Sequence, residues 1–175
     1  MRSDRISFLA VVTAGAGLLG FIGVFANWFS LSYRFSGTTV VLDFYGTVDG
    51  SGAIALAASL GALAFSCAYI LLQDPQIRRI TALLMAISSI MLLVSSLIGF
   101  TRVDEVIGPN PLLPGVVGTA RYTATVAPGI IISLIAGLIA TTASVLLVTR
   151  RESGQETVDD VPSTAAQERS PSLTG

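Results

Sequence analysis

The chain has 175 residues, a formal net charge of -1, 52% hydrophobic and only 12% charged residues, with a mean hydropathy of +0.76. Soluble domains carry about a quarter charged residues, so this composition suits lipid better than water. Histidine and lysine are absent and Cys67 is the single cysteine, which excludes ordinary zinc sites, histidine-based triads, Walker-type phosphate loops and an intramolecular disulfide.

After the basic start Met1-Arg2-Ser3-Asp4-Arg5, the apolar run over 6–29 predicts a first membrane-spanning helix ending in Asn27-Trp28-Phe29. The basic start and Val24-Phe25-Ala26 also fit a signal peptide, whose removal would leave three spans and an external N-terminus. The run is longer than the roughly 7–15 residues of a signal core. Trp28 also suits an aromatic anchor at the membrane–water interface, so a retained helix is the reading adopted.

Residues 30–50 form the first outer segment. In Phe29-Ser30-Leu31-Ser32-Tyr33-Arg34-Phe35 the large apolar residues alternate, the period of a half-buried strand. Ser36-Gly37-Thr38 can turn the chain, and Val40-Val41-Leu42-Asp43-Phe44-Tyr45 is rich in strand formers, so a small hairpin is expected over the helix ends. Gly46, Gly50 and Gly52 permit a tight return into the second span.

The runs 51–73 and 80–100 contain no charged residue, and each has about the 20 residues that cross ~30 Å of hydrocarbon. They flank Asp74-Pro75-Gln76-Ile77-Arg78-Arg79, a connection whose paired arginines assign it to the cytoplasmic side. Ala57/Gly61 and Ala58/Ala62/Ser66 repeat every four residues, a pattern that lets helices approach closely where lipid removes the hydrophobic drive. The third span is richer in leucine, and its Ser88-Ser89 and Ser95-Ser96 pairs are expected to bond across helices or to their own backbone.

The second outer segment, 101–126, mixes Arg102, Asp104, Glu105 and Arg121 and contains the proline-rich loop Gly108-Pro109-Asn110-Pro111-Leu112-Leu113-Pro114-Gly115. Arg121-Tyr122-Thr123-Ala124-Thr125-Val126 alternates again and could add a strand to the hairpin. The last span, 127–149, places Gly129, Ser133, Gly137 and Thr141 at strict four-residue spacing, a stripe expected to face the bundle interior, with a homodimer seam as the alternative. Arg150-Arg151 closes it, and residues 152–175 have the polar composition of a disordered tail.

Arg2, Arg5, Arg78, Arg79, Arg150 and Arg151 flank one set of helix ends, whereas Arg34, Arg102 and Arg121 lie at the other. Four spans then put both termini in the cytoplasm. No charge lies inside a span, which argues against a pump or proton-coupled transporter. Asp43, Asp49, Asp104 and Glu105 could in principle meet an external calcium ion, but four carboxylates without loop-motif spacing read as solvated charges. No cofactor, catalytic group, metal site or nucleic-acid contact is expected.

Ala26-Asn27-Trp28 closing the first span, the glycine-marked Tyr45-Gly46-Thr47-Val48-Asp49-Gly50 and the final Ala127-Pro128-Gly129 run with Gly137 resemble uncharacterised prokaryotic four-span membrane proteins of the tryptophan-biosynthesis-associated membrane protein type. The resemblance implies membrane location and no established activity. A more distant likeness, to the claudin-like four-helix architecture, lacks the paired loop cysteines and has a much shorter first loop, so no barrier function is carried over.

The sequence therefore predicts an all-α membrane protein: a four-transmembrane-helix bundle over residues 1–151, with a small extracytoplasmic strand cap. The expected role is non-enzymatic binding or scaffolding of another membrane or envelope component, or of a second copy. Trp28, Tyr33, Phe35, Phe44, Tyr45 and Tyr122 are the candidate contacts, because aromatics are favoured interface anchors. The alternative is a small transporter or channel for a neutral or apolar solute, with a hydroxyl path through Ser66, Ser88, Ser95, Ser133 and Thr141.

Overall fold

The computed structural model describes residues 2–35, 38–48, 50–102 and 122–152. Among them are four long helices, α1 (Arg2–Phe25), α2 (Gly50–Leu71), α3 (Pro75–Thr101) and α4 (Pro128–Glu152), and three strands, β1 (Asn27–Phe35), β2 (Thr38–Tyr45) and β3 (Tyr122–Val126). Phe8–Phe25, Gly50–Leu71, Pro75–Thr101 and Pro128–Thr149 are each long and apolar enough to cross a membrane. Glu152, expected to open the disordered tail, instead ends α4, and the rest of that tail lies outside the described residues, as do the proline-rich loop, Asp49, Asp104, Glu105 and Arg121.

The helices run alternately up and down. α1 and α3 each pack against both α2 and α4, while the diagonal pairs barely touch. The interior is built from small side chains: Ala10, Ala16, Ala55, Ala62, Ala82, Ala136 and Ala140 are all within 3% of full burial. Most of the large ones face outward, with Phe8, Leu71, Ile80, Ile87, Leu97 and Leu138 all about half exposed or more, while a few, Met85, Leu92, Ile130 and Leu147 among them, are buried. This inverts the sorting of a water-soluble bundle, whose large apolar side chains fill the centre.

The helix boundaries depart most from the sequence reading at two places. The first helix ends at Phe25 rather than running to residue 29, because Asn27 onward is drawn into the sheet. The polar connection shrinks to Leu72-Gln73-Asp74, with Pro75 at the first helical position, where its missing N–H matters least. The Asp74 carboxylate accepts from Gln76 N at 2.8 Å and Ile77 N at 3.3 Å, capping α3 and drawing Arg78 and Arg79 into its first turns.

The α2 stripe is also corrected at one position. Ala55, Ala58, Ser59, Ala62, Ser66 and Tyr69 form the buried face, and Ala57 is exposed. At ~100° per residue Ala57 lies about 200° from Ala55, on the far side of the helix. Gly61 is half-buried, and a Cβ there would lie 2.8 Å from Ser88 Oγ on α3.

The α4 stripe faces inward as expected and serves two neighbours. A Cβ on Gly23 of α1 would lie 2.5 Å from Ser133 Oγ and 3.0 Å from the Gly129 carbonyl, whereas one on Gly137 would lie 2.8 Å from Leu93 Cα of α3. A four-residue step turns the helix ~40° beyond a full circle, so a strict repeat drifts from one adjacent helix to the next. The stripe is a spiral seam.

These contacts give a paired prediction. Gly137→Ala should lower stability by roughly 1–3 kcal/mol, because the methyl meets backbone rather than a side chain that can move. Gly15→Ala, where nothing lies within 4 Å, should be neutral or raise helix stability by up to about 1 kcal/mol. Thermal unfolding of both variants in the same detergent is the measurement.

Candidate interaction surface at the sheet end

The sheet order is β2-β1-β3, all antiparallel. β1 pairs with β2 from Asn27↔Tyr45 and Phe29↔Phe44 to Phe35↔Thr38, and with β3 from Phe29↔Val126 to Tyr33↔Tyr122. The register shifts between Asn27 and Phe29, leaving Trp28 as an extra residue. Such a bulge breaks the two-residue alternation and re-aims a side chain. It is why consecutive residues, Trp28 and Phe29, are both buried, at 1% and 3% exposure.

Trp28 therefore offers no outer surface, contrary to the expected interface anchor. Its indole N–H donates to the Gly23 carbonyl at 3.0 Å. Added Cβ atoms at Gly46 and Gly99 would collide with the six-membered side of the ring and its N–H edge, so two glycines form its slot. The ring joins α1, the turn Gly46–Val48 and the end of α3. Phe29 stacks on Phe44 at 5.0 Å between centroids, and both pack with Val24, Ala55, Ala58, Leu92 and Ile130.

The remaining predicted contacts divide. Phe44 is half-buried beneath the sheet, and Tyr45 is 49% exposed at its end. Tyr33 and Tyr122 are paired in register across β1 and β3, which brings two candidates from distant sequence together, and Phe35 lies at the far end of β1 opposite Thr38.

The outward face carries a different chemistry. Thr39, Val41, Asp43 and Tyr45 alternate outward on β2. Register aligns Ser32 with Val41, Ser30 with Asp43, and Ser30 again with Thr125 of β3. Ser30 Oγ donates to Asp43 Oδ1 at 2.6 Å, and Thr125 Oγ1 to the Ser30 carbonyl at 3.3 Å. Hydroxyls and one carboxylate thus form a polar band, flanked by Val41 and Tyr45, that can exchange hydrogen bonds with a polar partner. The aromatic criterion missed Ser30, Ser32, Asp43 and Thr125. Their signal was the other half of the same alternation.

The hydroxyls of the proposed solute path do not share one environment. Ser66 Oγ donates to the Ala62 carbonyl at 2.6 Å and Ser95 Oγ to the Met91 carbonyl at 2.7 Å. Ser88 lies against Gly61. Ser133 Oγ and Thr141 Oγ1, with Ser96 Oγ beside them in character, are covered and make no hydrogen bond among the described residues. No protein-family model matches the chain, and no curated protein does.

Because Trp28 is the single tryptophan, its fluorescence reports this slot alone. Emission should be blue-shifted and shielded from acrylamide, and Trp28→Ala should destabilise the fold by about 3–5 kcal/mol. A red-shifted, freely quenched indole in the folded protein would contradict the burial.

Proposed function

We propose that this is a non-enzymatic multi-pass protein of the cell membrane, with both termini cytoplasmic, whose sheet-bearing outer end binds or scaffolds another membrane or envelope component. The membrane reading rests on one observation: small residues make up most of the bundle interior while most of the large apolar ones cover its outside. In lipid that arrangement lets close packing hold helices together, and leaves the apolar side chains in a solvent of their own kind. The orientation follows from arginines at the end opposite the sheet.

The contact surface proposed is the outward band of Ser30, Val41, Asp43, Tyr45 and Thr125, together with the register pair Tyr33 and Tyr122 and the strand-end residue Phe35. Its support is rigidity: the Trp28 slot and the Phe29–Phe44 stack fasten the sheet to the helices, so binding would order little additional chain. The second reading is passage of a small neutral solute, and it is favoured by the covered hydroxyls of Ser96, Ser133 and Thr141, which make no hydrogen bond among the described residues. The likeness to four-span proteins of the tryptophan-biosynthesis-associated type adds no activity to either reading.

In a Cys67→Ser background, a membrane-impermeant thiol reagent applied to intact cells should label Val41→Cys and spare Gln76→Cys until the cells are opened. The reverse pattern would invert the orientation. Photo-crosslinkers at Val41 and Tyr45 should capture one common partner that a crosslinker at Leu83, on the apolar flank, does not, with loss of capture in Asp43→Ala. Solute flux in vesicles containing only this protein, abolished by Ser133→Val, would instead favour passage.

A further inference from the structure

The end of the bundle opposite the sheet gathers Arg2 and Arg5 at the start of α1, Arg78 and Arg79 at the start of α3, and Arg150 and Arg151 at the end of α4. Against these six, the same helix ends and the α2–α3 connection carry Asp4, Asp74 and Glu152. The Asp74 carboxylate is already engaged by two backbone N–H groups. A positive-inside bias accounts for arginines collecting at this end. It does not account for what Arg78 does there.

Arg78 is held in a defined position. Its guanidinium carbon lies 4.6 Å from the centroid of the Tyr69 ring. Tyr69 is 2% exposed and packed with Ala10 of α1, Ala82 and Met85 of α3 and Leu147 of α4, so the platform is part of the core. Stacking uses the face of the guanidinium and leaves its in-plane donors to be satisfied at the edge. The Thr81 hydroxyl, one turn on, donates to the Ile77 and Arg78 carbonyls at 3.0 and 3.2 Å. Arg78 Nε is covered and has no acceptor among the described residues. Being covered, Nε is closed to an outside acceptor, so the terminal Nη groups, which are not among the covered donors, are the ones left to meet an acceptor at the edge. Arg78 also lies just before the charge-free run that begins at residue 80, which is the depth of the headgroup phosphates if that run crosses the bilayer.

We propose that Arg78, stacked on Tyr69 and assisted by Arg79, binds the phosphate of an anionic phospholipid headgroup at the arginine-bearing end of the bundle. The proposal rests on the membrane reading above. A planar guanidinium held at one face matches two phosphate oxygens through parallel N–H bonds, a match that a lysine ammonium cannot reproduce. Arg79 is exposed and supplies charge without a platform. The segment beyond Glu152 is acidic in sequence, with Glu156, Asp159, Asp160 and Glu168 against Arg169, and is the competing occupant that the experiment must distinguish.

The full chain is reconstituted into mixed phosphatidylglycerol–phosphatidylcholine bilayers, and the lipids retained on it are counted by native mass spectrometry. Wild type should retain phosphatidylglycerol preferentially. R78Q should lower that preference by clearly more than the roughly fivefold that any one basic residue near an anionic surface contributes. R79Q should lower it less, R78K should recover only part of it, and Y69F, which keeps the ring, should leave it unchanged. Equal loss in R78Q and R79Q, or no preference in a protein that inserts normally, would overturn the headgroup site while leaving the membrane reading intact. A protein that fails to insert at all would overturn both. Preference that appears only after deletion of residues 153–175 would assign the guanidinium to the chain's own tail, and stabilisation by inorganic phosphate equal to that by the lipid would assign it to a soluble anion. Either outcome overturns the proposal.

Discussion

Near Gly23 and Gly129 the backbones of the first and last helices converge, and the sheet depends on that convergence. Packed helices ordinarily keep their axes about 8–10 Å apart, whereas paired strands lie about 4.8 Å apart. α1 leads directly into β1 and β3 leads directly into α4, so pairing these strands requires the two helix ends to come closer than ordinary side chains allow. A Cβ on Gly129 would lie 2.5 Å from the Asn27 carbonyl oxygen and 2.8 Å from that of Gly23. Two glycines and a serine remove the obstruction, and the ladder then continues to the Ala127 N–H, which donates to the Trp28 carbonyl at 2.9 Å.

Trp28 completes the junction from the other side. The bulge at this position diverts the largest side chain in the protein from the sheet face into the bundle, where Gly46 and Gly99 leave it room and the Gly23 carbonyl accepts its one polar hydrogen. The cap is consequently a continuation of the helices rather than a loop resting on them. A two-stranded hairpin alone is marginal in water. Here a third strand and a shared core remove that weakness, and the outward band gains a fixed geometry.

The bundle below is held by a different economy. Its buried hydroxyls mostly turn back on their own helices: Thr13 to the Leu9 carbonyl, Ser66 to Ala62, Ser89 to Met85 and Ser95 to Met91, all between 2.6 and 2.9 Å. Serine so satisfied behaves as a small, nearly apolar residue and permits close approach. Ser96, Ser133 and Thr141 do not follow that habit. Arg78 is a further departure, a stacked cation at the opposite end from the sheet. The two ends thus carry distinct chemistries, hydroxyl and carboxylate at one and guanidinium at the other.

What the sequence alone determined was set by composition and short-range period. Charge-free runs of about twenty residues specify four helices, alternation marks a strand at Phe29–Phe35 and room for another over Arg121–Val126, and strand-forming composition marks Val40–Tyr45, because these signals need no knowledge of distant neighbours. Tertiary structure alone decided which face of each element is used. Ala57 turned outward although it repeats with Gly61, since a four-residue rule cannot say which of several small stripes meets a neighbour. Trp28 turned inward because one extra residue in β1 shifts the register, and a bulge has no local signature in Asn27-Trp28-Phe29. Placing Arg78 over Tyr69 likewise required knowing how tightly Asp74 and Pro75 close the α2–α3 turn, a property of the folded connection rather than of the residue order.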